Sequence, residues 1–320
     1  MNKIKITQIF SLFLALLFLG ACKKEAESIF TMFDGLEVTF ENKSEYAIVE
    51  DAVVNDGDSV HIYFTVTSKN EDMLAVVIDS TNGTGTWSTR EIPTTEDERR
   101  SYSGVVKFKM QRDGEMTFRF YALNRINEYL GDGYTSITVK GATSYRHIAN
   151  RRLYAPTEDG EDFASFMSLT TGEVFTYKEA QQVSSKVDFG IDTLFDTRAN
   201  NSTELVYNLY SPSVQEYPVP YYDLSGWEKR ETLFSEPQYN VSNTFYTRTL
   251  VSASKIEEEA LKVSIDQNQT YGLTSLQGLA PGTLLYFLTP EGKYGALYVA
   301  QSTTNTQGRP YINVNVKIAN

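Results

Sequence analysis

Residues 58–68 read DSVHIYFTVTS and alternate without a break. Val60, Ile62, Phe64 and Val66 fall on one face of an extended chain, and His61, Tyr63, Thr65 and Thr67 on the other. A period of two is what a strand with one buried face requires, and a helix cannot satisfy it. SGVVKFKM repeats the pattern with Val106, Phe108 and Met110 inward, and EMTFRFYAL repeats it with Met116, Phe118 and Phe120. LEVTF, MLAVVID and SITVK supply three shorter candidates. Asn82 with Gly83, and Asp113 with Gly114, mark turns between them.

About seven short strands in about 105 residues predict an immunoglobulin-like β-sandwich over residues 35–141. Another antiparallel sandwich, of the transthyretin-like kind, meets the same alternation. An inter-sheet disulfide is excluded, because the only cysteine is Cys22. The stretch GATSYRHIANRRL, 141–153, breaks the alternation and marks a boundary. Its Arg146, Arg151 and Arg152 are the nearest approach to a basic patch, expected to pair with acidic surface across the boundary.

Residues 153–320 mix both element types, which predicts an α+β domain with a mainly antiparallel sheet. FASFMSLTTGEVFTY reads as a hairpin turning at Thr171 and Gly172. Thr176 and Glu179 have capping-box spacing and open a short helix through Val183. Ser254 and Glu257 have the same spacing and open a second, to about Val263. KVDFGIDTLF and TELVYNLYSP are strands. GTLLYFLTPEGKYGALYVAQS is a hairpin turning through Pro290, Glu291 and Gly292. Ile312, Val314, Val316 and Ile318 alternate in a closing strand.

The chain starts differently. Residues 9–19 are apolar apart from Ser11, follow Lys3 and Lys5, and end in Gly20 and Ala21. That is the order of a secretory signal. Eleven helical residues rise about 16 Å, too little for a bilayer core of about 30 Å. The sequence LGAC at 19–22 resembles the bacterial lipoprotein box. The resemblance implies cleavage after residue 21, acylation of Cys22 and a tether over 22–34. More than one acyl chain holds a protein stably at a membrane. Removing residues 1–21 takes away Lys3 and Lys5 and leaves 27 basic against 41 acidic residues, a balance of −14. Such a chain repels phosphate backbones, so nucleic acid is excluded as a partner.

LGAC, DGDSVHIYFTVTS, YLGDGYTSITVKG, FASFMSLTTGEVFTYKEA and TPEGKYGALYV together resemble the modular outer-membrane lipoproteins of Bacteroides-type bacteria. That family implies an outer-membrane address, facing either the cell surface or the periplasm, and polysaccharide as a ligand. It also implies O-glycosylation at Asp-Ser/Thr followed by an aliphatic residue, Met or Thr, which Ser59, Ser80 and Thr193 satisfy.

Chemistry is sparse. His61 and His147 lie far apart with no cysteine to join them, so neither a metal nor any other cofactor is expected. Nucleotide and serine-hydrolase motifs are missing. Asp188 and Asp192 lie on one strand at about 13 Å. Glycosidase pairs need about 5.5 Å or 6.5–9.5 Å, so these two make a poor dyad alone. TEDGED, 157–162, lacks the order of a calcium loop. EYPVPYYDLSGW is the most suggestive segment for binding. Pro218 and Pro220 disfavour a central strand, and Tyr217, Tyr221, Tyr222 and Trp227 could stack on sugar rings or pack inward. Trp87, near a turn, has the same two options.

These features predict a lipid-anchored, non-catalytic outer-membrane protein that binds glycan. Two readings stand beside it. One is a carboxylate-based glycoside hydrolase. The other is a fimbrial or other surface-assembly subunit, disfavoured because the maturation arginine of that route is missing: the first arginine is Arg90.

Overall fold

The computed structural model describes residues 35–82, 86–160, 162–198, 200 and 203–320. Cys22, residues 1–21 read as a signal and residues 22–34 read as a tether lie outside the described residues. Eight strands build the N-terminal half: β1 (Leu36–Glu41), β2 (Ala52–Val54), β3 (Ser59–Ser68), β4 (Ala75–Thr81), β5 (Thr86–Glu91), β6 (Ser101–Lys109), β7 (Gly114–Leu123) and β8 (Thr135–Gly141). They form two sheets, ordered β1-β3-β6 and β2-β8-β7-β4-β5. Only β2 runs parallel to its neighbour, β8. With β2 set aside, chain order gives A-B-E facing G-F-C-C′. That is the immunoglobulin-like arrangement, short of strand D.

The alternating residues build the core. Val60, Ile62, Phe64 and Val66 pack against Val76, Ile78, Phe118, Phe120, Ile137 and Val139. Phe64 on β3 meets Phe120 on β7 at 4.9 Å between ring centroids, and Phe40 meets Phe120 at 5.2 Å. Strands B and F carry the inter-sheet disulfide of antibody domains. Here those strands are joined by packed rings instead. Gly104 gives Phe64 its room, since a Cβ at 104 would lie 2.5 Å from that ring.

The C-terminal half has ten strands: β9 (Tyr145–Tyr154), β10 (Phe166–Met167), β11 (Val174–Phe175), β12 (Phe189–Phe195), β13 (Leu205–Tyr210), β14 (Leu233–Ser235), β15 (Ile265–Gln267), β16 (Leu284–Leu288), β17 (Tyr294–Thr304) and β18 (Pro310–Ala319). Three helices accompany them: α1 (Tyr177–Gln182), α2 (Asn243–Arg248) and α3 (Ala253–Ala260). A six-stranded sheet runs β15-β14-β16-β17-β18-β9 and a four-stranded sheet runs β11-β10-β12-β13, both antiparallel. Ile312, Val314, Val316 and Ile318 of β18 join Phe189, Ile191 and Leu209 in the core between these sheets. The opposite face of the larger sheet carries Tyr286, Ala296 and Tyr298, covered by Tyr246 and Leu250 at α2 and by Ile256 and Ala260 of α3. This is an α+β unit in which α2 and α3 cover one face of the larger sheet.

Two local expectations are corrected. Most of the stretch 141–153, read as a break, belongs to β9, which spans Tyr145–Tyr154 and pairs with β18. Among the described residues its arginines pair with no carboxylate: Arg146 donates to the Leu169 carbonyl, Arg151 to the Gly172 carbonyl, and Arg152 lies over the Tyr311 ring. The sequence alternates weakly there because β9 is the last strand of its sheet. At the second capping box, the N-cap is Ser252, whose hydroxyl accepts from the Lys255 amide. Ser254 is drawn away by Asp56, which takes both its amide and its hydroxyl at 2.6 and 2.7 Å. The Thr176 and Glu179 box forms in both directions.

Polar contacts join the halves. Besides Asp56 with Ser254, the Asp113 amide donates to the Val251 carbonyl at 2.8 Å, and Gln111 donates to Glu258 at 2.8 Å.

Candidate functional site

The segment 211–232 is irregular, as Pro218 and Pro220 demand, but it does not present a row of rings. Tyr222 and Trp227 are buried with Phe166, Tyr210, Val214 and Val219. Tyr222 stacks on Tyr177 at 4.2 Å with planes 2° apart, and its hydroxyl donates to the Thr157 carbonyl at 2.9 Å. This loop caps the end of the four-stranded sheet and needs its own small core to do so. Tyr217 is half-buried beneath Lys229, which lies 5.0 Å from the ring centroid. Tyr221 alone of the group is exposed, at 42%. Trp87 sits on edge strand β5 and is 46% exposed.

The modification candidates separate by burial. Ser59 is exposed at the start of β3, and Thr193 is half-buried in β12. Ser80 is buried within β4, so no glycosyl group reaches it without displacing the side chains packed over it.

Asp188 is fully buried and fully engaged. It accepts from the Leu169 amide at 2.6 Å, from Arg230 Nε at 2.8 Å and from the Thr232 hydroxyl at 3.0 Å. Arg230 reaches on to Glu291 at 2.7 Å. This node ties β12 to the hairpin that follows β16, and its carboxylate has no room for a substrate. Asp192 differs. It faces Asn208 across the β12–β13 ladder and lines a small cleft of about 100 Å³ with Leu194, Pro218, Gln269 and Tyr271. Burial raises its carboxyl to about 6.

That cleft adjoins a larger one that sequence reasoning missed. Tyr239, Tyr271, Gln267, Gln277, Glu236 and Pro237 line a groove of about 310 Å³. Tyr271 and Gly272 line both clefts. Tyr271 is 67% exposed and Tyr239 is 42% exposed. Exposed rings are ordinary, but a rigid backbone beneath them is not. Buried Asn208 accepts from the Gly272 amide at 2.7 Å and from the Thr270 hydroxyl at 3.0 Å, and donates to the Gly272 carbonyl at 3.0 Å. The Thr270 amide donates to the Leu209 carbonyl at 2.9 Å, and its hydroxyl accepts from the Leu209 amide at 3.0 Å. Both neighbours of Tyr271 are therefore pinned to β13. Gly272 is packed so closely that a Cβ there would lie 2.5 Å from the Gln277 carbonyl oxygen. The Tyr239 hydroxyl donates to that same carbonyl, and Asn240 turns the chain with φ 57°. The signal in the sequence is the same one that singled out residues 217–227. QYN at 238–240 and TYG at 270–272 are tyrosines between turn-forming and amide residues.

The groove offers two rings, two primary amides and one carboxylate. Such a surface can stack on apolar ring faces while hydrogen-bonding hydroxyl groups. Glu236 lines one cleft and Asp192 the other, so neither brings two carboxylates together. Among the described residues no group of three His, Cys, Asp or Glu side chains is placed to hold a metal. His61 is bonded to Ser44 at 3.0 Å and packs edge-on to Tyr46 and Tyr63, while His147 lies against Tyr246.

No family model and no curated protein matches the chain. Among solved structures, a chitin binding domain from Burkholderia pseudomallei aligns at 12% identity over 29% of this chain and 58% of that one, with TM-score 0.21. A Niemann-Pick type C2 protein from Japanese carpenter ant aligns at 12% identity over 33% and 89%, with TM-score 0.22. A cycloalternan-degrading enzyme from Trueperella pyogenes aligns at 9% identity over 82% and 28%, with TM-score 0.19. Scores this low carry no argument about activity.

Proposed function

We propose that this chain is a lipid-anchored outer-membrane protein that binds glycan at the cell surface, using the groove between Tyr239 and Tyr271. The observation that carries the reading is the clamp by Asn208. It pins the chain on both sides of an exposed tyrosine before any ligand arrives. Preorganisation of this kind converts contact into affinity, because the ordering cost is already met in the free protein. Gln267, Gln277 and Glu236 supply hydrogen bonds to hydroxyls, and their neutral-to-acidic character suits a neutral polysaccharide.

Affinity electrophoresis of the 22–320 chain through gels containing neutral and acidic polysaccharides tests this. Wild type is retarded by at least one neutral glycan, and Tyr271→Ala weakens that retardation about tenfold, the factor of about 1.4 kcal/mol. Free migration of wild type through every glycan, or identical retardation of the variant, overturns the reading. Mass spectrometry of the native protein tests the anchor: an unmodified Cys22 rejects it.

Asp192 favours a second reading. A carboxyl raised to about 6 in a cleft beside an exposed tyrosine has the character of a general acid. A hydrolase built on it needs a second carboxylate brought in with the substrate. Release of reducing ends from a retained glycan, abolished in Asp192→Asn, would establish that reading over the first.

A further inference from the structure

The sandwich is open along one flank. β6 is the last strand of its sheet, and β5 is the last strand of the sheet it faces. Between them runs a groove with a cavity volume of about 590 Å³, closed at one end by residues around α2 and α3. Its floor is the sandwich's own core: Val106 and Phe108 from β6, Met116 and Phe118 from β7. Val106, Phe108 and Met116 stand at inward positions of alternating strands, yet they are only half-buried. Trp87 overhangs them from β5.

The rim has the opposite charge from the rest of the chain. Arg112, Arg248, Lys255 and the edge of β6 at Lys107 and Lys109 line the groove, and no described lining residue is acidic. The two lysines alternate with the inward Val106 and Phe108, so their side chains stand on the outer face, Lys107 over the Tyr63 ring and Lys109 beside Gly57. The chain as a whole has 41 acidic against 29 basic residues. Lys255 is offset by Glu258 and Glu259, whereas Arg248 makes no ion pair with a described residue. Behind the rim, Lys317 is drawn down to about 8 by burial and by the neighbouring Arg112. An anion arriving beside Arg112 would ease that repulsion.

We infer that this groove binds an anionic amphiphile, with an apolar body laid on Val106, Phe108, Met116 and Trp87 and a carboxylate, sulfate or phosphate headgroup held by Arg248. An apolar floor gives a bare inorganic anion nothing to cover. An unbalanced cationic rim disfavours a cationic tail and gives a neutral one no partner. The volume lies within the usual range for small-molecule sites, about 300–1,000 Å³. The site does not depend on the tyrosine groove and stands or falls separately from it.

Calorimetric titration of the 22–320 chain with dodecanoate, kept below its aggregation threshold, is the test. Dodecyltrimethylammonium supplies the same tail with the opposite charge, and acetate supplies the headgroup without a tail. Dodecanoate binds one-to-one, and the two controls do not. The variant Arg248→Gln binds dodecanoate about tenfold more weakly or worse, with a melting temperature close to that of wild type because the side chain is exposed. Equal binding of both amphiphiles, binding of acetate as tight as dodecanoate, or an unaffected Arg248→Gln variant overturns the proposal. A second readout needs only wild type. Trp87 is the exposed member of the two tryptophans, so dodecanoate shields the protein's fluorescence from iodide. Unaltered quenching at saturating dodecanoate also overturns it.

Discussion

Asp192→Asn exchanges an ionisable side chain for one of the same shape at a position where the fold disfavours charge. In the unfolded chain an aspartate titrates near 3.9, and burial beside β13 raises Asp192 to about 6. The folded state therefore binds more protons than the unfolded state between those two values. Stability falls as pH rises through that window, and the penalty is complete above about pH 6. A shift of about two pH units corresponds to at most about 3 kcal/mol. Asparagine cannot ionise, so the variant is expected to be about 2 kcal/mol more stable than wild type near pH 7.5. The two proteins should converge near pH 4, where Asp192 is protonated in wild type. Urea denaturation followed by circular dichroism at the two pH values reads this directly. A variant no more stable than wild type at the higher pH, or a gap independent of pH, refutes the reasoning. The same variant separates the functional readings, since a glycan binder keeps its affinity and a hydrolase relying on this carboxyl does not keep its turnover.

Other perturbations follow from single contacts. Asn208→Ala removes three hydrogen bonds to Thr270 and Gly272, at about 1 kcal/mol each, and should destabilise by about 3 kcal/mol while freeing the loop under Tyr271. Denaturation curves and hydrogen exchange at residues 270–273 check both effects. Gly104→Val drives a Cβ against the Phe64 ring, 2.5 Å away, and should lower stability by about 1–3 kcal/mol in thermal melts. Arg230→Met leaves Asp188 buried without a cation and should cost about 3–5 kcal/mol at neutral pH, measured by denaturant unfolding. Asp188→Asn made together with Arg230→Met should recover a measurable part of that loss.

The sandwich was legible because each face of a strand reports its own environment every second residue. Val60 to Val66 and Ile312 to Ile318 carry that record in the open, and both runs are buried as the alternation requires. The Thr176 box was legible because it is complete within four residues. Legibility failed where a distant group decided the outcome. Ser254 has capping-box spacing, but Asp56, 198 positions earlier, claims its hydroxyl. Residues 145–154 alternate poorly, but β18 supplies a partner strand. The short β14 and β15 and helix α2 are held by neighbours from elsewhere in the chain, and their own sequences carry little periodicity.

The aromatic residues make the same point for the candidate site. Residues 217–227 and 238–272 both contain tyrosines set among turn formers, so local sequence ranks them alike. What separates them is who supplies the backbone's hydrogen bonds. The first segment is secured largely through its own rings: Tyr222 turns inward to stack on Tyr177 and Trp227 to pack against Phe166, which leaves few rings for a ligand. The second is secured by Asn208, 64 positions before Gly272, so Tyr271 has no structural duty and can face solvent without the loop coming apart. A tyrosine becomes available for recognition when something else holds its backbone. In this chain that holder is one buried amide on β13, which makes Asn208, more than any ring, the residue on which the groove depends.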